Sequence, residues 1–187
     1  MNVGVDYLGP FTVSIGRRTE KRWMALFTCL VTRAVHLEIV PSLDVGSFLM
    51  AFTQFVSRRG SPTEVFSDNG TCFTAGQREL REALARLNDT QIADQLARKE
   101  IRWHFSPPSA PHLGGAWERL VRSCKNALRA ILGKQTVKDE TFATVVIEVE
   151  ALLNDRPITY LGADPEEFEP VTPHHFLLGR PNPHLPA

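Results

Sequence analysis

Three period-two runs in the first forty residues limit the fold more than any other feature of the chain. Val3 to Val13 (VGVDYLGPFTV) reads as a strand, with Val3, Val5 and Tyr7 on one face and Gly4, Asp6 and Leu8 on the other. Gly16 to Lys21 (GRRTEK) has turn chemistry, and Arg22 to Thr32 and Ala34 to Val40 read as second and third strands. Connections this short make the three an antiparallel meander. After Asp44, a good helix N-cap, the period becomes 3.6. Val45, Phe48, Leu49, Phe52, Phe55 and Val56 line one apolar face, and Arg58-Arg59-Gly60 ends it. Thr63 to Ser67 is a short strand, residues 76–99 read as an outer helical layer broken near Asn88-Asp89, and Ile101 to Phe105 is a fifth strand. A last helix, Asp139 to Leu153, carries Phe142, Val145, Val146, Val149, Leu152 and Leu153 on its apolar face. The expected fold is α/β: a mixed five-stranded sheet with helices on both faces, the first strand central and the fourth beside it.

That order places one core domain over residues 1–160 and a Pro-rich, irregular extension over 161–187. The 21 basic and 21 acidic residues give zero net charge, so contact with nucleic acid would be local rather than spread over the surface. The three cysteines, Cys29, Cys72 and Cys124, are far apart and have no zinc spacing, which argues against a structural zinc or a disulfide framework and favours a reducing compartment. No apolar run approaches membrane-spanning length. The strand pattern begins abruptly at Val3, as in a domain cut from a longer protein. His36 alternates with apolar residues on a wetter strand side and reads as a surface or sheet-edge residue, and His174-His175 is a pair without partners.

Three acids stand out. Aspartate is disfavoured inside strands, so Asp6 is either an edge-strand aspartate with a hydrogen-bond partner or a metal ligand, and the sequence weighs the two equally. Asp68 opens an Asp68-Asn69-Gly70 turn, which needs no function, yet it stands just past the carboxyl end of a strand, where α/β sheets place ligands. Glu118 sits near the start of a long amphipathic helix that follows a proline-rich loop and a Gly114-Gly115 hinge. At 100° per residue, Arg122, Lys125 and Arg129 fall within about 40° of Glu118. Trp117, Leu120, Val121, Cys124, Leu128, Ile131 and Leu132 fill the opposite side. One acid followed by a basic stripe is a solvated charged face with a Glu118–Arg122 bridge, or it is a metal ligand beside a phosphate track.

The topology would bring Asp6 and Asp68 together, with the Glu118 helix across the same edge. Three carboxylates without Cys or His suit Mg²⁺ or Mn²⁺, and a pair of such ions about 3.5–4 Å apart clamps the two oxygens of an in-line displacement at phosphorus. No Ser/His/Asp or Cys/His constellation competes.

The segments VDYLGPF, FSDNGTCF, WHFSPPSAPHLGGAWE, LNDRP and TPHHFLLGRP resemble, in order, those of retroelement integrase catalytic cores, above all the BEL/Pao-type LTR retrotransposon integrases. The resemblance covers essentially the whole chain. It implies a ribonuclease H-like fold with Asp6, Asp68 and Glu118 as catalytic metal ligands for Mg²⁺ or Mn²⁺. It also implies a mobile loop over Ser106 to Gly115 and DNA contacts through Ser106, His112, Gly114, Gly115, Arg122, Lys125 and Arg129. The implied activity is 3′-end processing and strand transfer of element cDNA into target DNA, in the nucleus, by a homo-oligomer. The 49 residues between Asp68 and Glu118 exceed the retroviral spacing and resemble the BEL/Pao pattern. The family's HHCC zinc module and C-terminal DNA-binding module are absent from this sequence. A domesticated, non-catalytic core that binds DNA or protein is the alternative, and a ribonuclease H-type nuclease a third.

Overall fold

In the computed structural model of the chain, the described residues are 1–68, 73–76, 78, 101–105, 111–133, 135–159 and 170–180, with 111–118 described in backbone only. The alternating segments form β1 (Asn2–Ile15), β2 (Arg18–Cys29) and β3 (Val35–Val40), followed by α1 (Val45–Arg59) and β4 (Glu64–Ser67). Then come β5 (Arg102–Phe105), α2 (Pro111–Leu132), β6 (Val137–Lys138), α3 (Asp139–Asn154) and α4 (Pro173–Leu178). Sheet order is β3-β2-β1-β4-β5, with β1 central and antiparallel to β2, and β4 and β5 parallel to their neighbours. This is the expected α/β, ribonuclease H-like arrangement, a mixed sheet with helices on both faces.

Each face of the sheet buries its own core, as period-two alternation requires. Leu8, Val13, Met24, Leu26, Val35 and Leu37 point to α2 and α3, meeting Leu120, Val121, Cys124, Leu128, Phe142 and Val149. Val3, Val5, Ala25, Phe27 and Val65 point to α1, where Phe27 stacks on Phe55 at 4.4 Å. The Asp44 cap accepts from Ser47 N at 2.7 Å, and Gly60 closes α1 at φ 87°.

Several expectations are corrected. The sheet has a sixth, two-residue strand: β6 lies parallel to β1, pairing Val13 with Val137 and Ser14 with Lys138. The β1–β2 turn is only Gly16-Arg17. Residues 18–21, expected in the turn, continue β2 because backbone pairing needs no apolar pattern. α2 begins at Pro111, so Gly114-Gly115 lie inside the helix rather than in a hinge before it. Proline suits a first helical position, while each glycine costs the helix about 1 kcal/mol relative to alanine. Ile131 and Leu152 are 49% and 56% exposed, since each sits on the margin of its helix stripe. Of the helices expected within 76–99, Gly76 and Arg78 are described and are helical; the rest, and the acidic patch Asp164, Glu166, Glu167 and Glu169, lie outside the described residues.

His36 is buried rather than at the surface. Its Nε2 lies 2.7 Å from Glu38 and its Nδ1 3.4 Å from Glu150, while Arg58 and Arg59 bond Glu38 and Glu150 from the end of α1. Burial alone would pull the His36 pKa down, but the hydrogen bonds to Glu150 and Glu38 outweigh it and hold the imidazolium above its ordinary range. Burial likewise opposes ionisation of Glu150, yet bonding to His36 keeps its pKa below the usual value. α3 also closes the free edge of β3. Leu37 N donates to Glu150, Val35 N donates to Asn154 Oδ1 at 2.8 Å, and Asn154 Nδ2 donates to Val35 O at 2.9 Å.

The tail, expected to be irregular, contains α4, and both its histidines have partners. His174 Nδ1 lies 2.5 Å from Asp155, and His175 forms a capping box with Thr172. Among the described residues no helix is long and apolar enough to cross a membrane.

Candidate active site

β1 is paired along one side by β2, over Val3–Leu8 and, past a bulge, Phe11–Ile15. Along the other side β4 reaches only Asn2–Gly4 and β6 only Val13–Ser14, so among the described strands the middle of β1 has an open edge. Asp6 lies on that open stretch, half-buried, on the sheet face that α2 and α3 cover. Its Oδ1 accepts a hydrogen bond from Tyr7 N at 2.6 Å, which orients the carboxylate.

Asp68 follows the last residue of β4. The parallel register ends with Gly4 beside Phe66; Asp6 stands two residues further along β1, and Asp68 two residues further along the chain, one past the end of β4. Asp68 is exposed, and its backbone is fixed from beneath. Trp103 Nε1 donates to the buried Ser67 Oγ at 2.9 Å, and Ser67 Oγ donates to the Asp68 carbonyl at 2.9 Å. A second brace is aromatic. Tyr7, next to Asp6, stacks on Phe73 at 5.0 Å, and Phe73 meets Phe48 edge-on at 5.3 Å. The Tyr of VDY and the final Phe of DNGTCF thus join the chain segments that carry the two acids. Sequence reasoning missed Ser67, Trp103, Tyr7 and Phe73 as supports. The only signal was their place inside the motifs.

Glu118 stands in the second turn of α2, and its side chain lies outside the described residues. So does that of His112, and Ser106 lies wholly outside them. Gly114 and Gly115 are in the α2 backbone. Downstream on α2, Arg122 and Arg129 are exposed and Lys125 is half-buried, while Leu120, Val121, Cys124 and Leu128 face the core. The basic stripe therefore lies on the solvent side, along the helix that packs over β1. Burial pushes the Cys124 thiol up to about 12, which makes it a packing group rather than a nucleophile.

Among the described residues no three His, Cys, Asp or Glu side chains gather as a metal site. What is present is Asp6 within β1 and Asp68 just past the end of the neighbouring β4. Their hard oxygen donors fit Mg²⁺ or Mn²⁺ and not a softer metal.

No family model matches the chain. No curated protein matches it either. Solved structures do. The cryoEM structure of the simian T-cell lymphotropic virus intasome in complex with PP2A regulatory subunit B56 gamma superposes with a TM-score of 0.61 at 12% identity, over 100% of this chain and 57% of that one. The catalytic core domain of BIV integrase gives 0.59 at 17% identity, over 95% and 93%. The HTLV-2 integrase catalytic core domain in complex with magnesium, in its dimeric form, gives 0.55 at 16% identity, over 84% and 88%. At these identities the likeness is one of fold.

Proposed function

We propose that this chain is the catalytic core of a retroelement integrase, nearest the BEL/Pao type, that carries out metal-dependent 3′-end processing and strand transfer of element cDNA in the nucleus. The observation that supports this most is the parallel register of β1 and β4, two positions beyond whose last pair, Gly4 and Phe66, stand Asp6 and Asp68. Glu118, from α2, is the third acid of the proposal.

Asp6, Asp68 and Glu118 would hold Mg²⁺ or Mn²⁺, as the magnesium complex of the HTLV-2 core makes reasonable. When bound, the ion activates an attacking hydroxyl and neutralises charge on the leaving 3′ oxygen. The protein's own residues hold the site in shape. The Tyr7 amide fixes one oxygen of Asp6, and the Ser67–Trp103 pair fixes the Asp68 backbone. Arg122, Lys125 and Arg129 lie along α2, where they would neutralise phosphates of a DNA end; Ser106, His112, Gly114 and Gly115 are the further DNA contacts of the proposal. Phosphate contacts of this kind position the substrate without reading its sequence. A homo-oligomer is part of the proposal, because the comparison core exists in a dimeric form.

A strand-transfer assay on a branched DNA substrate with Mn²⁺ tests the reading. Asp6→Asn, Asp68→Asn and Glu118→Gln should each remove activity at unchanged melting temperature. A fully active single variant would remove that residue from the set. DNA binding with no chemistry under any metal would favour the domesticated, non-catalytic core.

A further inference from the structure

We propose that the outer ribbon of β6, β1 and β2 carries a second phosphate-binding face, which holds nucleic-acid backbone away from the carboxylates. The identity of the partner rests on the integrase reading, but the face itself does not. Gly16 takes φ 59° at the first position of the two-residue turn, where a type II′ hairpin needs glycine. The two arms are therefore in tight register. Thr12 pairs with Lys21, and Ser14 pairs with Thr19 on one side and Lys138 on the other. Paired residues share a face, so Thr12, Ser14, Thr19, Lys21 and Lys138 lie together.

The opposite face of the same ribbon holds Phe11, Val13 and Val137, which pack on the core, and the acids. Arg22 bonds Glu20 and Asp139 there, each at 3.0 Å. Charge is thus segregated. The acids and their arginine are on one side. Lys21 and Lys138 are on the other, exposed, and neither has an ion-pair partner among the described residues. Neighbouring positions lie about 5 Å apart across the ribbon and about 7 Å apart along it. The two lysines therefore stand at opposite corners of a floor of three hydroxyls; Ser14 Oγ donates to Val137 O at 3.4 Å, and those of Thr12 and Thr19 would donate to phosphate oxygens.

Two features favour a nucleic-acid backbone over a lipid surface. The face has no exposed apolar wedge, which interfacial binding to lipid requires, and Trp23, the next aromatic on that side, packs towards the α1 core. The face lies on the α1 side of the sheet, opposite the side on which Asp6 stands, so a backbone held here is kept apart from the carboxylates.

Fluorescence anisotropy of a 30-base-pair duplex in EDTA, between 50 and 200 mM salt, tests this without any metal chemistry. Lys21→Glu/Lys138→Glu should lower affinity at least tenfold at 50 mM and flatten the slope of log affinity against log salt by about two, one for each phosphate contact. Arg18→Glu, exposed on the opposite face of the same hairpin, should change affinity less than threefold. A double reversal within threefold of wild type would overturn the proposal, as would an equal loss with Arg18→Glu. Phosphatidylserine vesicles held as tightly as DNA, and released by the same double reversal, would also overturn it in favour of a membrane surface. Failure here with Arg122→Glu still weakening binding leaves the integrase reading standing. A hairpin effect that persists while strand transfer proves absent leaves this face standing alone.

Discussion

Asn154→Ala removes the clamp that closes the free edge of β3. In the native chain both groups of the Asn154 amide bond the Val35 backbone, at 2.8 and 2.9 Å, and both residues are almost fully buried, at 1% exposure. Truncation leaves the Val35 N–H and C=O without the partners that satisfied them. Losing a hydrogen bond and stranding a buried polar group costs about 1–3 kcal/mol per group, so the pair should cost about 2–6 kcal/mol. Domains of this size are stable by only about 5–15 kcal/mol, so the loss is large. Urea unfolding should show it as a lower midpoint at unchanged slope. Hydrogen exchange should locate it: the Val35 amide loses protection, while amides of β1 and β2 keep theirs relative to the new global stability. A cost below 1 kcal/mol, or a Val35 amide as protected as in wild type, would refute the clamp.

Three further outcomes follow from buried contacts. The His36 pKa is raised, so its contribution is complete below about 6.5 and lost as pH rises through the folded value; that of Glu150 is lowered, so its contribution is lost as pH falls below about 4.5. The urea midpoint should therefore be highest between those limits and fall above neutrality, and His36→Gln should remove the alkaline fall. Gly76→Ala should destabilise by about 1–3 kcal/mol through overpacking, because a Cβ there meets the Phe48 ring, its Cε1 at 2.8 Å; a melting point equal to wild type would disprove that contact. Alkylation at pH 8 should modify half-buried Cys29 well before Cys124, whose thiol is fully buried and raised to about 12; native-state labelling of Cys124 at the rate of Cys29 would contradict the packing of α2.

The sheet was legible because apolar residues recur along Val3–Val13, Trp23–Phe27 and Val35–Val40, and α1 because cap, stripe and stop agree. Where the alternation is charged, as over Arg18–Lys21, nothing local separated turn from strand, although backbone pairing continues there. His36 and Glu38 looked wet for the same reason. The groups that permit their burial, Arg58, Arg59 and Glu150, come from the end of α1 and from α3, and no local pattern announces them. At the candidate site Asp6 was visible as an aspartate in a strand, and Asp68 as an acid at a strand's end. The parts that hold them were hidden. Ser67 and Trp103 look like ordinary strand residues, and their bond exists only because β4 and β5 pair in register. The motifs at the chain's far end proved to have structural roles: Asn154 clamps β3, Asp155 meets His174, and Thr172 caps α4 with His175.

The central claim is that Asp6 and Asp68 together hold a catalytic divalent ion. A Mn²⁺ titration followed by paramagnetic broadening of backbone amides tests it most directly. Saturable broadening centred on the amides of Asp6, Tyr7 and Asp68, absent from Asp6→Asn/Asp68→Asn, is the predicted result. Broadening centred elsewhere on the chain, or unchanged by the double substitution, would contradict it.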